Sequence, residues 1–359
     1  MADAADVLMN GAPPGGSVVD SLSLHRWLRT RLCADSLSIA NATSPHSGGW
    51  SNETHIFDAS WTRAGSIHSR GLVLRLAPVG PAMFREYDLA RQVRCLRHLR
   101  ERSVCPVPAV VADDLGGIML GRPFYIMDFV DGQIPADDRP TFFEAGFLAE
   151  ASVEAQRHFF ESCIDSIASV HDAPVDDVLV AQLTRNTRGA TALAREVHWL
   201  ADLYEWGKGP AEQRVLDRAF AWVLGHLPND ATAMLLWGDA RPANTVVRNF
   251  EVAALLDWEL ATLGPPELDV FWFLEMNRMR ANGRSLPGFL SDAATIAGYE
   301  ARTGRVIRDA DFHTVYAALK VAVLMLRYLR VAVERGQIAE NHHVLTDNTA
   351  TRRLDELLI

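Results

Sequence analysis

Apolar residues recur at two different spacings along this chain, and the change from one to the other falls near residue 130. Before it the runs are short and strand-like: Thr54 to Trp61, Gly71 to Ala77, Ala109 to Ala112 and Pro123 to Val130. Their period and their aromatic and β-branched content predict the strands of a sheet. One helical stretch interrupts them, Phe84 to Arg100, in which Phe84, Tyr87, Leu89, Ala90, Val93, Leu96 and Leu99 fall largely on one face. A short helix, Leu22 to Leu32, precedes them. From Thr141 onward the spacing is helical almost throughout, apart from a strand-loop-strand unit between Met234 and Asp257. The segment Asp131 to Pro140, with Gly132, Pro135 and three aspartates, breaks both periods and predicts a hinge. The pattern predicts an α+β protein of two lobes. A small, sheet-rich N-lobe spans residues 21–130, and a larger, mainly helical C-lobe spans residues 131–359.

Composition narrows the classes. With 359 residues, 48% apolar and 22% charged, the chain can bury a sizeable core. Residues 1–20 read as a loose leader, because the acidic, Gly/Pro-rich start lacks the basic and apolar regions of a secretory signal. The most apolar C-terminal stretch, Val315 to Leu326, is broken by Lys320 and falls short of the about twenty residues that span a membrane. It predicts a core helix, and no membrane association. A net charge of -10 argues against a nucleic-acid partner. Cys33, Cys95, Cys105 and Cys163 form no CxxC pair, which disfavours a zinc site or a disulfide framework and fits a reducing, cytoplasmic setting. Lysine occurs only at Lys208 and Lys320, so chemistry that needs a cation in the first half must use arginine or histidine.

The strongest chemical signal is Leu235-Leu236-Trp237-Gly238-Asp239-Ala240-Arg241-Pro242-Ala243-Asn244, followed by Leu255-Leu256-Asp257-Trp258-Glu259. Phosphoryl transfer to a hydroxyl needs a carboxylate near the nucleophile and oxygen ligands for Mg2+. A D-x4-N loop leaving an apolar strand, with a second aspartate ending the next apolar run, supplies both. Each residue alone also suits a turn. Their order and the strands before them favour chemistry.

These two segments resemble the catalytic loop and metal-binding segment of the aminoglycoside-phosphotransferase-like and choline-kinase-like families, relatives of the protein kinases. The resemblance runs from about Ser47 to beyond Asp269 and implies a protein-kinase-like two-lobed fold. It implies Asp239 as catalytic base, Asn244 and Asp257 as Mg2+ ligands, and ATP between the lobes. The family's usual histidine before Gly-Asp is Trp237 here. Ser47, Gly48, Gly49, Ser51 and Asn52 stand where the family keeps its phosphate-cradling loop, and small residues there let backbone N–H groups approach phosphate oxygens. Arg75, a lone cation in the apolar strand Gly71 to Leu76, resembles the phosphate-binding lysine of kinases, and Glu86 the carboxylate that pairs with it. The branch fused to acyl-CoA dehydrogenases often carries arginine at this position. Met127, Asp128 and Val130 resemble the adenine-binding hinge. Pro266 and Asp269 resemble helix-start residues, with Asp269 bracing the loop. Arg241 could touch substrate or phosphate, or could pair with an acidic neighbour.

The expected activity is ATP-dependent O-phosphorylation of a small hydroxylated acceptor: an antibiotic, a hydroxyacyl-CoA or another metabolite. A nucleotide-binding regulatory module without catalysis is the alternative. Trp199, Trp206, Trp222 and Trp272 read as core residues.

Overall fold

The computed structural model describes residues 18–44, 52–102 and 105–359; most of the leader lies outside them. Five strands, β1 (Ser36–Thr43), β2 (Glu53–Arg63), β3 (Ser66–Leu76), β4 (Val110–Asp114) and β5 (Phe124–Asp128), form an antiparallel sheet in the order β1-β2-β3-β5-β4. Because side chains alternate along a strand, β3 and β5 feed two different cores. Leu72, Leu74, Leu76, Phe124 and Ile126 pack with Leu24 and Leu28 of helix α1 (Leu22–Arg31) in a core belonging to the small lobe. Val73, Tyr125 and Met127 point the other way, into the main core shared with the large lobe. Arg75 lies in register with Tyr125 on that inner face. Strand β1 has no fully buried residue, and its Ser/Ala/Asn-rich sequence gives little apolar signal, which is why the periodicity does not predict it.

The helix expected from Phe84 begins later, as α2 (Leu89–Arg102). Asp88 is the reason: its Oδ1 accepts from the Arg91 backbone N–H at 2.9 Å, an N-cap that starts the helix there. The preceding residues, 77–88, leave the small lobe as a strap. Arg327 of helix α9 (Ala310–Glu334) donates to the Ala82 carbonyl oxygen through Nε (2.9 Å) and Nη2 (2.7 Å). Phe84 lies against Trp199, ring centroids 6.4 Å apart.

The large lobe adds α3 (Val153–His171), α4 (Asp177–Leu183), α5 (Ala192–Gly207), α6 (Arg214–Gly225), α7 (Glu267–Ala281), α8 (Asp292–Thr303) and α10 (Thr349–Leu357) around α9. The apolar run at Val315–Leu326 lies inside α9, as expected of a core helix. Among the described residues no helix is long and apolar enough to cross a membrane. Between α6 and α7 two ribbons are inserted, β6 (Met234–Leu236) with β9 (Thr262–Gly264), and β7 (Thr245–Arg248) with β8 (Glu251–Leu255). Asn249 and Phe250 turn the second ribbon with φ of +52° and +60°, the left-handed pair that suits a tight hairpin's twist. The 131–140 connection is fastened to this hairpin by paired backbone hydrogen bonds between Gln133 and Val247.

Candidate active site

The chain leaves β6 through Gly238, whose φ is +84° and where a Cβ would stand 2.1 Å from the Leu260 carbonyl oxygen. Only glycine fits such an approach. Gly238→Ala is therefore expected to destabilise the fold by more than about 3 kcal/mol. Chemical denaturation checks this, and an unchanged midpoint would refute the close contact. Asp269 fixes the same turn, accepting the Gly238 N–H at Oδ1 (2.8 Å) and the Trp237 N–H at Oδ2 (2.7 Å). His171 at the end of α3 reaches Asp269 Oδ2 at 3.1 Å and the Tyr299 hydroxyl at 2.8 Å. Asp269 occupies the bracing position expected of it.

Asp239 follows, nearly buried, with both carboxylate oxygens engaged. Oδ1 accepts from Trp272 Nε1 at 2.8 Å; Oδ2 accepts from Asn244 Nδ2 at 2.8 Å and from Arg241 Nε at 3.1 Å. Asn244 Nδ2 also donates to the Asp239 carbonyl at 3.0 Å, which leaves Asn244 Oδ1 as the atom a cation would meet. The β7–β8 register, Thr245 opposite Leu255, brings Leu256 beside Asn244, and the Leu256 N–H donates to the Asn244 carbonyl at 2.8 Å. Asp257 comes next, in the left-handed region at φ +57°. The hairpin thus joins the two expected metal ligands, which flank it in sequence.

Arg75 crosses from the small lobe to Asp257, Nη2 to Oδ1 at 3.1 Å, and Nη1 donates to Thr54 Oγ1 at 3.3 Å. Burial pushes its pKa down, but Asp257, Tyr125 and Glu259 outweigh burial and the net shift is upward. A charged guanidinium is therefore held in the cleft, and its buried Nε has no partner among the described residues. The expected Arg75–Glu86 pair is corrected here. With α2 capped at Asp88, Glu86 falls in the exposed strap, and Asp257 takes its place as the partner of Arg75.

The residues expected at the adenine edge end β5. Met127 is buried toward the shared core, and the half-buried Val130 N–H has no hydrogen-bond partner among the described residues. The Asp128 side chain turns away to Arg70, Nη1 to Oδ1 at 3.0 Å. Of the expected phosphate loop, Ser47, Gly48, Gly49 and Ser51 lie outside the described residues. Asn52 is described and buried; its Nδ2 donates to Glu259 Oε2 at 3.0 Å while its Oδ1 has no partner. The end of that loop therefore rests against the Asp257–Glu259 segment.

The phosphotransferase enzyme family matches this sequence over residues 42–304. The chain belongs to that family. Among solved structures, a Ralstonia eutropha protein assigned as an aminoglycoside phosphotransferase aligns at a TM-score of 0.65 with 21% identity, covering 94% of this chain and 95% of that one. An aminoglycoside phosphotransferase in ternary complex with AMP-PNP and hygromycin B aligns at 0.56 with 15% identity, covering 94% and 98%. These likenesses show the kinase-like α+β fold. Among curated sequences, a probable acyl-CoA dehydrogenase of Arabidopsis thaliana is 28% identical over 72% of this chain. Acyl-CoA dehydrogenase family member 10 of Mus musculus is 28% identical over 65% of it. The chain spans 32% and 21% of the lengths of those two relatives.

Trp237 stands where the resemblance implies a histidine; its indole Nε1 donates to the Leu256 carbonyl at 2.8 Å and so ties the Asp239 loop to the Asp257 segment. Of the readings left open for Arg241, the structure shows pairing with acidic neighbours, Asp239 and Asp137. Asp137 also receives both Nε (2.6 Å) and Nη2 (2.7 Å) of Arg280. Burial raises the Asp137 pKa, yet the two arginines outweigh it and hold the carboxyl low. Asp137, Glu259, Trp272 and Lys320 are site residues that sequence reasoning missed. One signal was available: Lys320 is one of two lysines and stands inside an apolar run, where a charge needs a partner.

Proposed function

We propose that this protein is an ATP-dependent O-phosphotransferase acting on a hydroxyl of a small molecule. The observation that carries the reading is the Asp239 carboxylate, immobilised by three donors and joined through Asn244 to Asp257 and Arg75. Asp239 orients the acceptor hydroxyl and takes its proton as the acceptor oxygen bonds to the γ-phosphorus and the bond to the ADP oxygen breaks. Asn244 Oδ1 and the uncommitted Oδ2 of Asp257 would hold Mg2+. Hard oxygen donors shared with nucleotide phosphates suit that ion, and among the described residues no cluster of three His, Cys, Asp or Glu side chains offers a cage of its own. When bound, the metal neutralises charge on the transferring phosphoryl group. Arg75 meets the phosphates and the Val130 backbone the adenine edge, while residues 47–51 would cradle phosphate.

The relatives' names suggest two acceptor classes, a hydroxylated acyl-CoA thioester and a hydroxylated antibiotic such as the hygromycin B bound by the solved relative. The test is a phosphate-transfer screen over acyl-CoA thioesters, antibiotics and hydroxylated metabolites. A wild-type protein that binds ATP and phosphorylates none of them would instead be a nucleotide-binding regulatory module.

Arg75 gives a second check on the nucleotide assignment. Arg75→Ala is expected to raise the KM for ATP and lower kcat, and Arg75→Lys to restore only part, since a point ammonium cannot reproduce the guanidinium fork between Asp257 and phosphate. Unchanged ATP kinetics in the alanine variant would remove Arg75 from the nucleotide site.

A further inference from the structure

Trp272 and Lys320 lie behind the Asp239 loop, on α7 and α9; the sequence presents the first as a core residue and the second as a charge that interrupts an apolar helix. Their contacts say more. The Trp272 indole N–H donates to Asp239 Oδ1 at 2.8 Å. Lys320 Nζ lies 4.5 Å from the centroid of the same indole ring and donates to the Gly238 carbonyl at 2.9 Å. Both side chains are buried, so neither contact is softened by water. A cation on a tryptophan face is favourable by electrostatics, and desolvation strengthens it. Burial pushes the Lys320 pKa down, Glu196, Asp269 and Asp239 offset part of that fall, and Arg185 adds to it, so the net shift is downward. Burying a lysine in a helix this apolar is costly unless its charge is answered; of the acidic groups that answer it, Asp239 belongs to the loop and Asp269 braces its first turn, while Glu196 lies on α5 beside Arg185.

We infer that Trp272 and Lys320 form a positioning pair for the Asp239 carboxylate, Trp272 fixing its rotamer through Oδ1 and Lys320 holding both the indole and the Gly238 carbonyl in place. This rests on the reading of Asp239 as the group that orients the acceptor hydroxyl. The donors on Oδ2, Asn244 and Arg241, face the cleft residues, whereas Trp272 approaches Oδ1 from the protein interior. With one oxygen held from behind, the carboxylate cannot rotate about its last bond without losing a charge-assisted hydrogen bond. Positioning of this kind governs the barrier when the transition state is loose. Neither residue touches substrate; both act through the loop.

Two measurements test the pair. The first needs no activity: in protein carrying 15N-labelled tryptophan, Trp272 has an indole N–H resonance identified by its absence in Trp272→Phe. Replacing Asp239 by Asn is expected to move that resonance more than any other indole signal, and to move it again in Lys320→Met. An indole resonance indifferent to both changes would overturn the inference whatever the enzyme does. The second uses turnover with an accepted substrate. Trp272→Phe keeps the ring and loses the N–H, so kcat is expected to fall roughly ten- to a hundredfold while ATP affinity stays within about twofold, as loss of one hydrogen bond to a charged group predicts. Full kcat in Trp272→Phe together with a loss in Trp272→Leu would mean a packing role only and would overturn the inference. Should Trp272→Phe not fold, the signal lost in Trp272→Tyr gives the assignment, and a Trp272 resonance unmoved by Asp239→Asn and Lys320→Met overturns the inference. If wild type transfers phosphate to no acceptor, the kinase reading falls while the resonance test stands by itself.

Discussion

Asp239→Asn is expected to keep Mg-ATP affinity and to lose phosphoryl transfer by about a hundred- to ten-thousandfold, the usual contribution of a positioned general base. The side chain has the same shape, so Gly238 and Asn244 keep their places. An amide, however, cannot accept at both ends. Wild-type Asp239 takes donors at Oδ1 from Trp272 and at Oδ2 from Asn244 and Arg241, so one end of the asparagine must set its NH2 against a donor. Loss of basicity and loss of orientation act together on kcat. The check is ATP affinity and phosphate transfer measured on one preparation. Full transfer in the variant would remove Asp239 from the mechanism.

Asp257→Ala is expected to abolish transfer and to change nucleotide binding in a particular direction. In the wild type Asp257 is the partner of Arg75, which is mostly buried. Removing the carboxylate leaves the guanidinium without a counter-charge, and a nucleotide phosphate is the anion best placed to supply one. ATP without Mg2+ should therefore stabilise the variant at least as well as the wild type, whereas the extra stabilisation that Mg2+ brings should vanish. Thermal shift with ATP, with and without Mg2+, reads both quantities. Undiminished turnover, or a Mg2+ increment equal to that of the wild type, would sink the metal assignment.

Which parts of this site a reader of the sequence could see depends on how each residue is held. The lobes were legible because a strand period and a helix period cannot be mistaken over long runs. The clustering of Asp239, Asn244 and Asp257 was legible because each is a polar residue ending or following an apolar strand, and short hairpin geometry then brings them together. Arg75 was visible as a charge in an apolar strand, but its partner was not: Asp257 is 182 positions away, and nothing local distinguishes it from Glu86. The error over Glu86 came from a helix boundary, where the apolar face of Phe84 and Tyr87 continues the period although Asp88 caps the helix after them. Trp272 was hidden for the opposite reason. Val270, Phe271, Trp272, Phe273 and Leu274 are all buried, so α7 has no polar face against which an indole aimed at a carboxylate could stand out.

The clasp between Arg327 and the Ala82 carbonyl bears on how the cleft can open. Two bodies joined only through residues 131–140 would open like a book, and groups far from the spine would travel furthest. A second attachment just beyond the end of β3 withdraws that freedom. Drawing the strand that carries Arg75 away from Asp257 therefore requires the Arg327 hydrogen bonds to break or residues 77–82 to extend. The same strand is thus held to the large lobe at two levels, through Arg75 at Asp257 and, past its end, through the Ala82 carbonyl at Arg327.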